Sequence, residues 1–162
     1  MAVRLNNTVA VNHLLEAGVN FRNKTSSGET VLHLAIKNQT DKDILKKLIT
    51  NRFDVNEPIE IFGSFLNLSI IQGYSDNFYF LMNDLPEINY TRALDEEDNT
   101  SLILAVQANK GDYVVCILNK LKEDKILTNL DKHFFINHQN KEGNTAIHLA
   151  ALKHYQTITQ VL

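Results

Sequence analysis

Two stretches of the 162-residue chain repeat one phrase: GETVLHLAIKN at residues 28–38 and GNTAIHLAALK at residues 143–153. A third copy, NTSLILA at 99–105, keeps the threonine, the two leucines and the alanine but has isoleucine in place of histidine. A weaker copy, SFLNLS at 64–69, begins with serine. The hydroxyl residues at positions 30, 64, 100 and 145 are therefore 34, 36 and 45 residues apart.

A second marker recurs at a different phase. A β-branched aliphatic residue followed by asparagine occurs at 19–20, 55–56, 88–89 and 136–137, with spacings of 36, 33 and 48 residues. Two independent markers thus give a period in the low thirties, with one long insertion in the last interval. Self-similarity at such a period indicates stacked repeats.

Each repeat has the pattern of two short helices. Thr30 can cap a first helix over LHLAIKN by accepting a hydrogen bond from a free backbone N–H of the first turn. The segment DKDILKKLIT has apolar residues at helical spacing and predicts a second helix. Pro58 and Gly63 then fit a turn in FDVNEPIEIFG. A unit this small cannot bury its apolar stripe alone, so we expect neighbouring units to stack.

Composition excludes several classes of function. A formal net charge of −3 and a pI near 6.0 argue against binding nucleic acid by phosphate neutralisation. The chain has no apolar run of about 20 residues, the length that spans a bilayer, and its first residues lack the pattern of a signal peptide. Its single cysteine, Cys116, permits no internal disulfide and is expected to be a small buried apolar residue. We therefore expect a cytoplasmic protein.

The repeated phrase resembles the T-P-L-H-x-A signature of ankyrin repeats. The resemblance covers essentially the whole chain, although the proline after threonine is replaced by Val31, Phe65, Ser101 and Ala146. It implies an all-α solenoid of stacked helix-turn-helix units joined by β-turns, with four to five repeats. The predicted repeats are 1–24 (partial), 25–57, 58–94, 95–138 with an insertion near 120–133, and 139–162 (partial). Both ends are expected to lie inside a repeat, as in an excerpt from a longer chain.

The histidines are interpreted as structural. The resemblance implies that His33 and His148 bond to backbone or to the threonine of their own unit, beside the capping residues Thr30, Thr100 and Thr145. His133 and His138 have no third ligand at zinc-site spacing, so no metal site is expected. No phosphate-binding loop or nucleophile elbow occurs in the sequence, so we predict no catalytic residue, no cofactor and no enzyme activity.

Two turns carry further expectations. The acidic run DEED at 95–98 precedes a helix, where carboxylates are favoured, and is read as a solvated turn. Asn99 is expected at the turn-glycine position of the fourth repeat, which Gly28 and Gly143 hold elsewhere, because asparagine tolerates positive φ.

The insertion KEDKILTNLDKHFF is the main irregularity. It is expected to lengthen the second helix or to add a short third one. Its apolar residues are predicted to pack down, namely Ile126, Leu127, Leu130, Phe134 and Phe135. A binding role and a tolerated solvated loop are equally compatible with the sequence.

Family resemblance implies that a monomer binds another protein on its concave face, which the turn tips and first helices line. Its variable positions and turns give these candidate contacts: Arg22, Lys24, Ser26, Glu29, Lys37, Asn38, Ile59, Ile71, Gln72, Tyr90, Glu97, Ser101, Gln107, Ala108, Asn144, Leu152 and Lys153.

Two alternatives remain open. Ankyrin turn asparagines can be substrates of an asparaginyl hydroxylase, and the pattern of leucine, acidic and β-branched residues before Asn56 and Asn89 fits that reaction. The chain could also be a targeting or regulatory part of a larger enzyme. Degenerate repeats rich in asparagine resemble ankyrin proteins that intracellular bacteria and large viruses deliver into the host cytosol.

Overall fold

The structure is a computed structural model that describes residues 1–3, 5, 7–26, 29–50, 54–59, 61–92 and 94–162. These residues form α-helices and turns and contain no β-strand. The helices are α1 (Thr8–Glu16), α2 (Val31–Lys37), α3 (Lys42–Thr50), α4 (Phe65–Gln72), α5 (Ser75–Tyr79), α6 (Ser101–Gln107), α7 (Gly111–Glu123), α8 (Asn129–Ile136), α9 (Ala146–Leu152) and α10 (Gln156–Val161). A π-helical turn, Phe80–Asp84, continues α5.

The four recurrent hydroxyl residues all cap first helices. Thr30, Ser64, Thr100 and Thr145 precede α2, α4, α6 and α9, and each side-chain oxygen accepts from the backbone N–H three residues later. The hydroxyl satisfies one of the donors that a helix N-terminus leaves open, which fixes where each first helix begins.

First helices also end in the same way. Gln39, Gly73, Asn109 and His154 have positive φ, and each lies nine residues after the capping hydroxyl. The next backbone N–H reaches back into the helix, as in Thr40 N–H to Ala35 O at 2.9 Å. This left-handed cap turns the chain sharply into the second helix and recurs in all four units.

The helices stack in two layers. The first helices α2, α4, α6 and α9 contact one another in sequence, and each packs on its own second helix, α3, α5, α7 or α10. Aliphatic residues two and six positions after the capping hydroxyl are fully buried in the first three of these units: Leu32, Ile36, Leu66, Ile70, Leu102 and Val106. Because each such side chain contributes about 1.5–3 kcal/mol when buried, the row of helices holds together by packing between units. The predicted all-α repeat solenoid is thus confirmed.

The insertion both lengthens a helix and adds one. Helix α7 has 13 residues and α8 follows it. Phe135 is buried and packs edge-on against Tyr90, with ring centroids 6.1 Å apart. Lys132 Nζ donates to the carbonyls of Lys122 and Asp124 at the end of α7, at 3.3 and 2.6 Å. These contacts dock α8 on the body of the protein.

The predicted packing of the inserted apolar residues was largely wrong. Phe135 is buried and Leu127 is half-buried, but three others are exposed: Ile126 (93%), Leu130 (61%) and Phe134 (64%). Helix α8 rests on the face that carries Phe135, so Leu130 and Phe134 lie on its solvent side.

Neighbouring turns are tied to one another by hydrogen bonds. Glu96 N–H donates to Ile61 O at 3.3 Å, and Lys141 N–H donates to Glu97 O at 3.1 Å. The side chain of Asn140 also donates to Asn99 Oδ1 at 2.9 Å. These bonds hold the turn tips in a row beside the first helices.

The left-handed turn residue of the fourth repeat is Asp98, with φ of 59°, and not Asn99 as predicted. Asp98 is two residues before Thr100, the same offset as Gly143 from Thr145, and Gly143 has φ of 77°. Asn99 is buried instead and bonds to Asp95. Gly28 lies outside the described residues.

The acidic turn is more organised than a solvated run. Asp95 Oδ1 accepts from the backbone N–H groups of Glu97 and Asn99 at 3.0 and 2.8 Å. Asp95 therefore shapes the turn, whereas Glu96 and Glu97 are exposed.

Among the described helices, none is long and apolar enough to cross a membrane.

Candidate protein-binding groove

A groove lies between α2, α4 and the turn that precedes α4. It encloses a cavity of about 420 Å³. Helix α2 and its cap contribute Thr30, His33 and Lys37, and α4 contributes Phe65, Leu68 and Gln72. Because these positions recur at helical spacing, one face of each first helix lines the groove. The turn contributes Glu57, Pro58, Ile59, Ile61 and Phe62.

The floor of the groove is apolar and buried. Phe65 and Leu68 are each only 2% exposed. The His33 ring meets Phe65 edge-on, with centroids 4.9 Å apart. His33 Nδ1 lies 2.7 Å from Thr30 Oγ1 and accepts from the Thr30 backbone N–H at 3.1 Å, which fixes the imidazole. Burial lowers the pKa of His33 below its ordinary value.

The rim of the groove is charged. Lys37 Nζ forms an ion pair with Glu29 Oε1 at 2.6 Å. Lys24 and Glu57 are exposed on either side of this pair. An apolar floor with a polar rim is the usual anatomy of a protein-binding surface.

A second cavity of about 530 Å³ adjoins the first. Both cavities are lined by Pro58, Ile59 and Ile61, so these residues form a wall between them. Beyond the wall the lining changes to Arg92, Leu94, Asp95 and Glu96 of the next turn. The two cavities, one on each side of this wall, lie along the turns of the second, third and fourth repeats and are together called the trough.

Ile61 forms the crest of the shared wall. Its side chain is 59% exposed and its backbone has φ of 72°. A β-branched residue with positive φ is a genuine conformational outlier. Its carbonyl is held by the Glu96 N–H, so the neighbouring turn contributes to the geometry.

The groove brings together several of the predicted contact residues: Lys24, Glu29, Lys37, Ile59 and Gln72. Others are exposed outside this cavity: Arg22, Ser26, Asn38, Ile71, Glu97, Ala108, Leu152 and Lys153. Gln107 and Asn144 are half-buried and bond to Asn99 and Glu142 respectively. These residues remain candidates.

Three of the candidates are not available as exposed contacts. Tyr90 is 4% exposed, and its hydroxyl donates to Asp124 Oδ2 at 3.1 Å beneath the insertion. Ser101 is fully buried, and its hydroxyl donates to Tyr90 O at 2.8 Å. Ile59 is 7% exposed and serves as part of the wall. These three side chains are therefore buried and offer little exposed surface to a partner.

The apolar lining of the groove was missed. Ile61, Phe62, Phe65 and Leu68 were not predicted as contacts. A signal was present in the sequence: IEIFG, residues 59–63, carries three large apolar residues in a turn, where polar residues are usual.

The turn asparagines differ in their surroundings. Asn56 is half-buried, and its amide donates to Glu87 O at 2.8 Å while its oxygen accepts from Asn89 N–H at 2.7 Å. Asn89 is exposed, and its oxygen accepts from Arg92 N–H at 3.2 Å.

The structural histidines and the cysteine are also placed. His148 Nδ1 lies 3.1 Å from Thr145 Oγ1. His138 Nε2 lies 2.9 Å from Asp98 O, and His133 is exposed. Cys116 is half-buried, and burial raises the pKa of its thiol above the ordinary value. Within the described ranges no three His, Cys, Asp or Glu side chains are grouped to hold a metal ion.

These features define a helical repeat protein with a groove beside its turns. A family described as "Ankyrin repeats (3 copies)" matches residues 1–92, more than half of the chain. The chain therefore belongs to the ankyrin repeat family, whose members are generally protein-interaction modules and typically non-catalytic. The helix pairs of residues 100–162 continue the pattern with the same caps. A search of curated proteins finds no match to the sequence.

Proposed function

We propose that this chain is a non-catalytic module that binds a partner protein in the groove between α2 and α4. The observation that carries the proposal is the cavity of about 420 Å³ between α2 and α4, which has the buried Phe65 and Leu68 as its floor and a charged rim beside a row of capped helices. A preorganised surface loses little conformational entropy on binding, so its apolar contacts translate into affinity.

Site-specific photocrosslinking in a lysate of the native or host cell tests the proposal. A photoreactive amino acid at Lys37 or Gln72 would report on the groove. The same residue at Lys46 or Asn119, exposed on α3 and α7, provides the matched control. We expect both groove positions to yield an adduct with one protein that the control positions do not yield.

The adduct is then identified, and the purified partner is titrated against the wild type and a variant changed at Lys37, Gln72, Gln107 and Lys153. We expect at least about tenfold weaker binding by the variant, since a minority of interface side chains each contribute more than about 1 kcal/mol and four candidate positions are changed at once. Equal adducts from both faces, or equal affinity of wild type and variant, would refute binding at this surface.

Asparaginyl hydroxylation is a second proposal, and the exposure of one turn asparagine favours it. Asn89 is exposed, and its amide nitrogen makes no hydrogen bond within the described residues, whereas both amide atoms of Asn56 bond to the next turn. A hydroxylase needs an accessible Cβ, so we expect Asn89 to be modified ahead of Asn56. Mass spectrometry after co-expression with such an enzyme would show a gain of one oxygen at Asn89. An unchanged mass at both residues would end this proposal.

A further inference from the structure

We infer that the partner presents an extended segment with one large apolar side chain, an acidic residue on one side of it and a basic residue on the other. This inference rests on the proposed function, because it describes what the groove binds. It follows from the shape of the trough, the conformation of Ile61 and the distribution of charge along the turns.

The shape of the trough fits an elongated chain. Two cavities share the wall formed by Pro58, Ile59 and Ile61, and together they run past three successive turns. A compact ligand would occupy one cavity, whereas an extended segment can cross the wall and contact both. The deeper apolar lining, with Phe62, Phe65 and Leu68, lies on the α2 side of the wall and is where the large apolar side chain inserts.

The backbone conformation and exposure of Ile61 indicate that its apolar side chain serves binding. Glycine or asparagine adopts positive φ at little cost, whereas a β-branched residue does not. Nevertheless, isoleucine occupies φ of 72° and leaves 59% of its side chain in solvent. Strain of this kind is found where a side chain has a function that the fold does not need. The function inferred for the exposed Ile61 side chain is to bind an apolar group of the partner.

Charge changes sign along the turns. The turn before α2 carries Lys24, which is exposed, while Glu29 in the same turn is paired with Lys37 and Glu57 lies on the rim of the same cavity. The turn before α6 carries four consecutive carboxylates at 95–98. Two cations flank it: Arg92, and Lys141, whose Nζ donates to the Glu96 carbonyl. Complementary charge on the partner places its acidic residue near Lys24 and its basic residue near Glu96.

The spacing of these charges follows from helix packing. Helices α2, α4 and α6 contact one another in sequence. Adjacent packed helices lie about 8–10 Å apart, so the two charged ends of the trough are separated by about 16–20 Å. An extended chain covers this distance in about five or six residues. The apolar residue of the partner therefore lies two or three residues from each charged one.

Two synthetic peptides of about nine residues, sized to span the trough, test the inference. The first has two aspartates, serine, phenylalanine, serine and two lysines between glycines. The second has the same composition, with one aspartate and one lysine on each side of phenylalanine. Fluorescence anisotropy with the full chain measures both affinities. We expect the first peptide to bind about tenfold more tightly, because both charges on each side of its phenylalanine are opposite to the nearby rim charge, whereas each side of the second peptide brings one matched and one like charge.

Three variants separate the contributions to peptide binding. In Ile61→Asn, the asparagine tolerates positive φ but removes the apolar side chain from the wall. The affinity for both peptides should fall by about tenfold. Lys24→Glu and Glu96→Lys should each remove the preference for the first peptide. Lys46→Glu, a charge reversal on the exposed face of α3, is the matched control and should change neither affinity.

Equal binding of the two peptides would overturn the inferred order of charges. Failure of both to bind below about 1 mM, or unchanged affinity in Ile61→Asn, would overturn the extended segment itself. If photocrosslinking still maps a partner to Lys37 and Gln72 in either case, the proposed function stands and only this inference fails. Loss of groove-specific adducts would instead remove the proposed function.

Discussion

Asn56 Oδ1 accepts a hydrogen bond from the backbone N–H of Asn89 at 2.7 Å, so the turn asparagine of one repeat holds the turn asparagine of the next. The Asn56 amide completes the link by donating to Glu87 O at 2.8 Å. We expect Asn56→Ala to lower the free energy of unfolding by about 1–2 kcal/mol, because two hydrogen bonds between repeats are lost. Equilibrium urea denaturation measures the change.

Asn89→Ala is the matched control for this prediction. The Asn89 side chain accepts only from Arg92 N–H within its own turn, at 3.2 Å, among the bonds found in the described residues. Its removal should cost less than about 1 kcal/mol. Equal losses in the two variants would show that the bond between repeats contributes nothing beyond a local turn bond.

The adjacent pair Phe134 and Phe135 gives a second prediction. Phe135 is 5% exposed against Tyr90, whereas Phe134 is 64% exposed. Phe135→Ala should destabilise the protein by about 3 kcal/mol through lost burial and the cavity left behind. Phe134→Ala should stay within about 0.5 kcal/mol of the wild type. Thermal unfolding followed by circular dichroism distinguishes them, and similar melting temperatures would mean that α8 is not docked as described.

The features that sequence predicted well are those set by local chemistry. Thr30 and Thr145 are followed by an apolar helix and can cap it through their own hydroxyls, so their effect is readable within a few residues. The recurrence of that phrase then implies stacking, since one helix pair cannot cover its own apolar side. Fold class therefore followed from short stretches and their spacing.

The residues whose surroundings were not predicted are those whose burial is set by contacts with residues distant in the sequence. Tyr90 occupies a turn position that is expected to face solvent, but Phe135 and Lys120 from the enlarged fourth repeat cover its ring. Ser101 can be buried because its hydroxyl donates to the Tyr90 carbonyl. The groove was missed for a related reason: Ile61 and Phe62 line it only once the third turn is folded back over α4. Spacing alone does not reveal such packing.

The turn at Ile61 and Gly63 predicts opposite responses to substitution. Ile61 and Gly63 have φ of 72° and 73° respectively. Ile61→Gly should raise the free energy of unfolding by about 1 kcal/mol, because strain is relieved at an exposed position. Gly63→Ala should lower it by at least about 2 kcal/mol, since the new Cβ would lie 1.8 Å from Leu94 O. Chemical denaturation checks both signs, and stabilisation by Gly63→Ala or loss of stability in Ile61→Gly would contradict the described turn.

The lowered pKa of His33 predicts that the free energy of unfolding decreases in mild acid. Burial is the main cause that lowers the pKa of His33 below 6.5, and Lys24 and Lys37 add to it while Glu29 and Glu57 oppose it. Below pH 6.5 the unfolded chain therefore binds a proton that the folded chain excludes, so the free energy of unfolding decreases as pH falls and is fully recovered above 6.5. Urea denaturation at about pH 7.5 and about pH 5.5 measures the loss, which is then compared with that of His33→Asn. Asparagine is a suitable replacement because Asn67 occupies the equivalent position after Ser64 in the third repeat. We expect a smaller loss in His33→Asn, and equal losses in both proteins would assign the acid sensitivity to other groups.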